Sequence, residues 1–325
     1  MKVAVLGVGR MGMLHARLLR DAPLVEALVL ADLDAGRARE ASTLLDAEAL
    51  SDPIAALEKS DAVIIATPPG THASLVTAAV QRGRPVLCEK PLAEDLSGAI
   101  ALATFVESNG VPVQVGFHRR FDPGYVAARS LVERGDLGRL HLMRLQGTEP
   151  VAPRSSLTNL FRNTAIHDFD MVRWLSGTEV ASVYVEGSHR AGGEFDTRLD
   201  PDTIAVTLRL VDGALGVITV SRLSPLGYDV RTELIGTRDH IVVGCTERAP
   251  VHSVEPGAGP LPLDAWRTWQ ARFEQAYRAE QAAFLAAATG ARPVTVTVRD
   301  GVEAQRISEA ARRSLETGRR ILMSA

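Results

Sequence analysis

The sequence predicts a two-domain α/β protein: a doubly wound parallel sheet, followed by an α+β domain built on a mostly antiparallel sheet. Three observations carry this. Short unbroken apolar runs alternate with helical stretches up to about residue 120. A glycine-rich turn, Gly7-Val8-Gly9-Arg10-Met11-Gly12, joins the first run to the first helix. Beyond it the pattern changes to long stretches of period two.

The elements follow in order. Val3–Leu6 is an apolar run that ends in glycines, and a helical stretch continues through Leu19. Ala27–Ala31 ends at Asp32, and Asp61–Thr67 (DAVIIAT) precedes a helix over Thr71–Arg82. Pro85–Cys88 leads into Glu89-Lys90-Pro91, then come a helix over Asp95–Ser108 and a strand over Pro112–Phe117. Unbroken apolar runs are strands buried on both faces, and right-handed crossovers wind them into one domain, residues 1–120. The second domain, 121–325, opens with a helix over Tyr125–Arg134 and a strand over Arg139–Gln146. A polar loop spans Glu149–Arg162, and a helix over Asn163–Leu175 stops at Ser176–Gly177. Period-two stretches at Ala181–His189, Asp202–Leu210, Ala214–Arg222, Tyr228–Ile235 and His240–Val243 predict antiparallel strands in successive hairpins. Val254–Pro262 reads as a surface loop. Trp266–Ala288 and Val302–Thr317 read as amphipathic helices, the last able to pack back on the first domain.

Composition sets outer limits. A chain of 325 residues, 46% hydrophobic, can bury two sizeable cores. With 36 basic against 39 acidic residues there is no basic excess for a nucleic-acid partner. Cys88 and Cys245 belong to no Cys/His cluster, so no metal site is expected. Two lone cysteines suit a reducing compartment. The start MKVAVLGVGRMG has no long apolar stretch, and no apolar run of about 18 residues occurs. The expectation is a cytoplasmic protein with no membrane partner.

The glycine turn predicts a dinucleotide site. Gly7 permits the tight turn, Gly9 lets backbone approach a pyrophosphate, and Gly12 lets helix pack on strand. The helix start, at Arg10 and Met11, offers N–H groups and a positive dipole end to the phosphates. Asp32 stands 20 residues after Gly12 (32 − 12) and can accept from the ribose hydroxyls. Its charge opposes a 2′-phosphate and so favours NAD. Arg10 keeps NADP use open, and Asp34 is an alternative ribose ligand.

Hydride transfer from a secondary alcohol needs a base for the hydroxyl proton. Lys90 follows a strand of the doubly wound domain at its carboxyl edge, where ligands of such sheets bind, and Pro91 fixes the backbone behind it. His167 is the second candidate, since imidazole accepts a proton near neutral pH. On a helix, Asn163, His167 and Met171 share a face, with Asp170 three residues on from His167.

The motifs ATPPGTH (from Ala66), EKP (from Glu89), GFHRRFDPGY (from Gly116), IHDFDMVRWLSG (from Ile166) and the final DGVEAQRISEAARRSLETGR are joined in order to the glycine turn. Together they resemble the Gfo/Idh/MocA oxidoreductases over nearly the whole chain, closest in motifs to inositol 2-dehydrogenases. The resemblance implies a Rossmann domain, and a second domain whose open sheet serves as a homodimer or homotetramer interface. It also implies NAD-dependent oxidation of a cyclic polyol or sugar, with Lys90 and His167 catalytic. Thr67, Pro68, His72 and Glu89 then join the cofactor site. Arg120, His118, Asn163, Tyr228 and Arg154 join the substrate site. The family often carries Asp where this chain has Asn163; an amide binds a hydroxyl but takes no proton, which puts more weight on Lys90 and His167. Two other functions stay open: a biosynthetic keto-sugar reductase, and a non-catalytic NAD-binding regulator on the same fold.

Overall fold

The structure, a computed structural model, describes residues 1–150, 159–190, 200–260 and 262–323. The chain divides into two compact units: Met1–His118 with Gln275–Gln305, and Arg119–Glu274 with Arg306–Ala325.

In the first unit β1 (Lys2–Leu6), β2 (Ala27–Ala31), β3 (Glu48–Leu50), β4 (Ala62–Ile65), β5 (Val86–Cys88) and β6 (Val113–Val115) form a parallel sheet in the order β3-β2-β1-β4-β5-β6. The crossovers are α1 (Arg10–Arg20), α2 (Ala35–Leu45), α3 (Pro53–Glu58), α4 (His72–Gln81) and α5 (Leu96–Asn109). Residues 3–6, 28–31 and 62–65 are all buried, as unbroken apolar runs require when helices cover both faces. Strand order reverses between β1 and β4, so a crevice opens at their carboxyl ends, beside Gly7 and Ala66. Aspartates start four helices of the chain. Asp34, Asp52, Asp95 and Asp122 each accept a backbone N–H from the turn they open. Three of these elements, α2, β3 and α3, are absent from the pattern read in the sequence. The strand is three half-buried residues and α3 is six residues long, too short for periodicity to show.

The second unit contains α6 (Pro123–Glu133), β7 (Leu140–Thr148), a π turn (Phe161–Ala165), α7 (Ile166–Ser176), β8 (Val180–Ser188), β9 (Thr203–Leu210), β10 (Leu215–Ser221), β11 (Asp229–Gly236), β12 (His240–Val243) and β13 (Ile321–Leu322). Two long helices, α8 (Trp269–Ala288) and α9 (Val298–Thr317), contribute residues to both units. The sheet runs β12-β11-β7-β10-β9-β8-β13. It is mostly antiparallel, but not a run of successive hairpins. The strand β7 inserts between β10 and β11 and runs parallel to β10. Period two reports which residues face the core and says nothing of which strand lies beside which. In β9, Ile204, Val206, Leu208 and Leu210 face inward while Ala205, Thr207 and Arg209 face out. The predicted helix over Asn163–Leu175 begins as the π turn and becomes α-helical only at Ile166. Gly177, at φ +71°, ends it in the left-handed conformation. No helix among the described residues is long and apolar enough to cross a membrane.

Candidate active site

The cofactor turn of the first unit is built on close backbone approach. Gly7 sits at φ +82°, and a Cβ there would lie 2.9 Å from Ala66 O and from Thr67 N. A Cβ on Gly12 would lie 1.7 Å from Gly7 O, so strand and helix meet only because both positions are glycine. Gly9 is different: a Cβ there meets nothing within 4 Å. It is also the N-cap of α1, and no side chain caps that helix start. Open room over uncapped N–H groups is what a pyrophosphate requires, so these residues fit a dinucleotide.

Asp32 follows β2. Its carboxylate accepts the Val8 N–H and the Asp34 N–H, each at 3.0 Å, and both oxygens take Arg37 Nη1 at 3.2 Å. Asp34, the alternative ribose ligand, is spent on capping α2, and those backbone bonds hold its carboxyl below the usual range. Arg37 is a cation the sequence reading did not single out. Arg10 and Met11 open α1, with Arg10 exposed. Thr67 accepts or shares a 2.7 Å bond with Thr71, beside exposed Pro68. The buried His72 ring joins two loops, with Nδ1 2.7 Å from Pro91 O and Nε2 2.8 Å from Thr67 O.

Lys90 is half-buried just past β5, and its peptide bond to Pro91 is cis. Glu89 anchors it from behind. Glu89 Oε2 accepts the Lys90 N–H at 3.3 Å, and Oε1 lies 2.9 Å from His15 Nε2. On the far side of the ring, Gln281 Nε2 lies 2.9 Å from His15 Nδ1 and 3.1 Å from His15 O. An amide nitrogen only donates, so Nδ1 is the acceptor and the ring proton sits on Nε2, toward Glu89. Gly116 explains its place in the GFHRRF motif: a Cβ there would lie 3.1 Å from Glu89 Cδ and Oε2. His118 is buried and stacks on Tyr277 at 4.3 Å, while His15 meets the same ring edge-on at 5.9 Å. Glu280, one turn along α8 from Tyr277, is fully buried with no hydrogen-bond partner for either carboxylate oxygen. Burial, with a smaller contribution from the Glu89 charge, pushes its carboxyl well above the usual range. Sequence reasoning missed His15, Tyr277, Glu280 and Gln281. The signal was the helical spacing of the last three with Phe284, which reads equally as plain core packing.

The second unit holds His167. Arg119 donates to Asp168 at 2.6 Å, and Arg120 grips Asp170 with Nε at 2.9 Å and Nη2 at 2.5 Å. All four side chains are buried. At about 100° per residue, Asp168 points about 100° to one side of His167 and Asp170 about 60° to the other. One turn, His118–Phe121, supplies both arginines, so the pairs straddle His167 and set the rotation of α7. Tyr228 is buried, hydrogen-bonded to Arg119 and edge-on to Phe273 at 6.2 Å; burial pushes its hydroxyl up. Asn163 lies in the π turn and is exposed, whereas His167 keeps only 8% exposure, so the expected continuous α-helical face is interrupted by the wider turn. Arg154 lies outside the described residues. No group of three or more His, Cys, Asp or Glu among the described residues could hold a metal ion.

Two family descriptions match the chain: "Oxidoreductase family, NAD-binding Rossmann fold" over residues 1–117, and "GFO/IDH/MocA C-terminal domain" over residues 125–242. Myo-inositol dehydrogenase Hyg17 of Streptomyces leeuwenhoekii is 39% identical over 98% of each chain. Myo-inositol 2-dehydrogenase of Thermotoga maritima is 31% identical, covering 99% of this chain and 98% of its own. A scyllo-inositol dehydrogenase of Lactobacillus casei, solved with bound NAD(H) and scyllo-inositol, superposes with a TM-score of 0.91 at 26% identity, covering 99% of this chain and 98% of that one. The chain belongs to the GFO/IDH/MocA oxidoreductase family, and its first domain is an NAD-binding Rossmann fold.

Glu280 makes stability depend on pH in a stated direction. Burial raises its folded-state pKa above the ordinary 4.5, so above pH 4.5 the folded chain keeps a proton that the unfolded chain releases. Its contribution is complete below that pH and declines above it, by about 1.4 kcal/mol per pH unit until the folded pKa is reached. Urea unfolding of wild type and Glu280→Gln across this range should show the variant gaining relative stability at that slope; parallel curves would mean Glu280 is ionised in the fold.

Proposed function

We propose that this chain oxidises a ring carbinol of an inositol with NAD, Lys90 and His167 handling the hydroxyl proton. The observation that carries it is the pairing, at the carboxyl edge of one parallel sheet, of an open uncapped helix start at Gly9 with the buttressed Lys90 turn. Relatives whose names specify inositols, matched over nearly their whole length, support the substrate class. NAD, when bound, supplies the hydride acceptor.

Lys90 and His167 are the two groups able to move a proton. Lys90 stands half-buried on a turn fixed by Glu89, and as an amine it takes the hydroxyl proton or, charged, steadies the alkoxide. His167, aimed by the flanking ion pairs, is the second proton carrier. Arg120 and Tyr228 are held in buried bonds, which suits them to shaping the substrate side of α7. Asn163, exposed and uncharged, offers a hydroxyl partner. The outward face of the second sheet carries Ala205, Thr207, Arg209, Leu215 and Thr219. Such a face, small and partly apolar, is suited to joining a second copy as a homodimer or homotetramer. The free thiols of Cys88 and Cys245 fit a cytoplasmic setting, which cell fractionation reads directly.

A panel of inositols, aldohexoses and keto-sugars, followed by nicotinamide absorbance, should show turnover on an inositol. Lys90→Ala and His167→Asn should each retain NAD binding and lose about 10²–10⁴-fold in kcat. Wild-type kcat in either variant removes that residue from the proton path. Cofactor choice follows from Asp32 and Arg37. The wild type should prefer NAD, and Asp32→Ser should shift preference toward NADP without an added cation, because it releases Arg37 for the 2′-phosphate. Equal kcat/KM for both cofactors in the wild type would place the ribose elsewhere. Light scattering at micromolar concentration should give twice or four times the 34.8 kDa chain mass; monomer alone would rule out the sheet-face contact.

A further inference from the structure

His72 is a buried histidine, 1% exposed, whose ring nitrogens both face carbonyl oxygens. Nδ1 stands 2.7 Å from Pro91 O and Nε2 2.8 Å from Thr67 O. A carbonyl oxygen accepts and cannot donate, so each bond needs a proton on the ring nitrogen. A neutral ring has one such proton. It would set a bare nitrogen lone pair against the other carbonyl at hydrogen-bond distance. His15 is the opposite case, since the Gln281 amide donates to one of its nitrogens and a single ring proton suffices. The surrounding charges bear on the His72 ring in both directions. From Ala66 to Thr71 no side chain titrates, and α4, which opens with His72, carries no other charge up to Gln81. The segment around Pro91 carries Glu89, Lys90, Glu94, Asp95 and the buried Cys88 thiol, which burial keeps neutral. A Cβ on Gly70, two residues before His72, would lie 3.1 Å from Glu94 Oε2. Three carboxylates against one lysine favour a cation, while the positive end of α4 opposes one. The two carbonyl bonds, each strengthened by a charged donor, decide for the cation.

We propose that His72 is a positioning residue of the dehydrogenase site, an imidazolium that holds the Thr67 and Pro91 carbonyls at once and so locks the Lys90 turn to the turn at Gly7. This rests on Lys90 handling the substrate proton. The backbone at Gly7 closes on Ala66 and Thr67, so the Thr67 bond reaches the cofactor side, and Pro91 follows Lys90 directly. Loss of either ring proton leaves one carbonyl without its donor and lets the two turns shift against each other.

Nitrogen NMR reads the ring without need of activity. In the protein labelled with nitrogen-15 histidine, with NAD at neutral pH, the ring signals absent from His72→Gln should show a proton on both nitrogens. One protonated and one bare nitrogen would overturn the proposal. If that variant does not fold, through-space contacts from ring N–H protons to Pro91 and Thr67 in the wild type assign the signals, and they decide alone. The kinetic arm uses the same variant, whose amide carries donors on a single nitrogen and no charge. Its kcat should fall about tenfold, within the range that a small misplacement at a reacting centre costs. KM for NAD should rise as well, because the Thr67 side of the lock is lost with the Pro91 side. Removing a cation beside the Lys90 turn should also move the limb of the kcat profile that reports Lys90 to higher pH, a change that lost packing alone would not bring. Wild-type kcat or an unmoved limb in His72→Gln overturns the proposal. Lys90→Ala with full turnover would sink the role given to Lys90 but leave the nitrogen signals as they are, so the two failures are distinguishable.

Discussion

The first unit depends on how closely the backbone at Gly7 approaches the backbone at Ala66 and Thr67. That contact joins the ends of β1 and β4 at the point where strand order reverses, and it leaves no room for a Cβ. Gly12 then seats α1 against the same turn, which aims the uncapped helix start over open space at Gly9. From there the linkage runs outward. The Val8 N–H holds Asp32 at one side. His72 ties the Thr67 loop to Pro91 at the other, so the glycine turn and the Lys90 turn share a single scaffold. The turn in this unit is therefore set first by main-chain contacts, with the Asp32 and His72 side chains bonded to backbone on either side of it.

The second unit solves a different problem, aiming one imidazole from a helix. Consecutive arginines on a short turn reach aspartates two residues apart on α7, one on each flank of His167. The two pairs hold both flanks of α7, alongside its buried Ile166, Phe169, Met171, Val172 and Leu175. Burying two such pairs adds little stability, since desolvation offsets much of the attraction, but losing one partner would leave an uncompensated charge inside. Tyr228 extends the arrangement by its bond to Arg119, tying the start of β11 to the same turn.

The parts legible in the sequence were those whose cause is local. Buried strands such as Ala62–Ile65 announce themselves because both faces are covered, and the glycine turn because Gly12 packs on Gly7 too closely for a Cβ while Gly9 leaves open room. The parts that were not legible arise from distance. Nothing near Leu140–Thr148 says that this strand will insert beside β10, since alternation marks faces and not neighbours. Arg119 and Asp168 are 49 residues apart, so the partner of an arginine in GFHRRF could not be read from the motif. Glu280 is the extreme case. Its spacing on α8 reads as an ordinary amphipathic helix, and only the fold buries its carboxyl with no hydrogen-bond partner. The π turn at Phe161–Ala165 was hidden for another reason, because one extra residue in a turn barely alters an apolar pattern.

The second sheet ends, among the described residues, in very short strands: four residues of β12 on one side and two of β13 on the other. A long bare edge would present a row of unpaired N–H and C=O groups to any passing chain. Here the backbone donors and acceptors available at either margin are too few to template a fibril-like stack. With so little backbone to offer at its margins, the sheet resists the edge-to-edge clumping that open sheets invite.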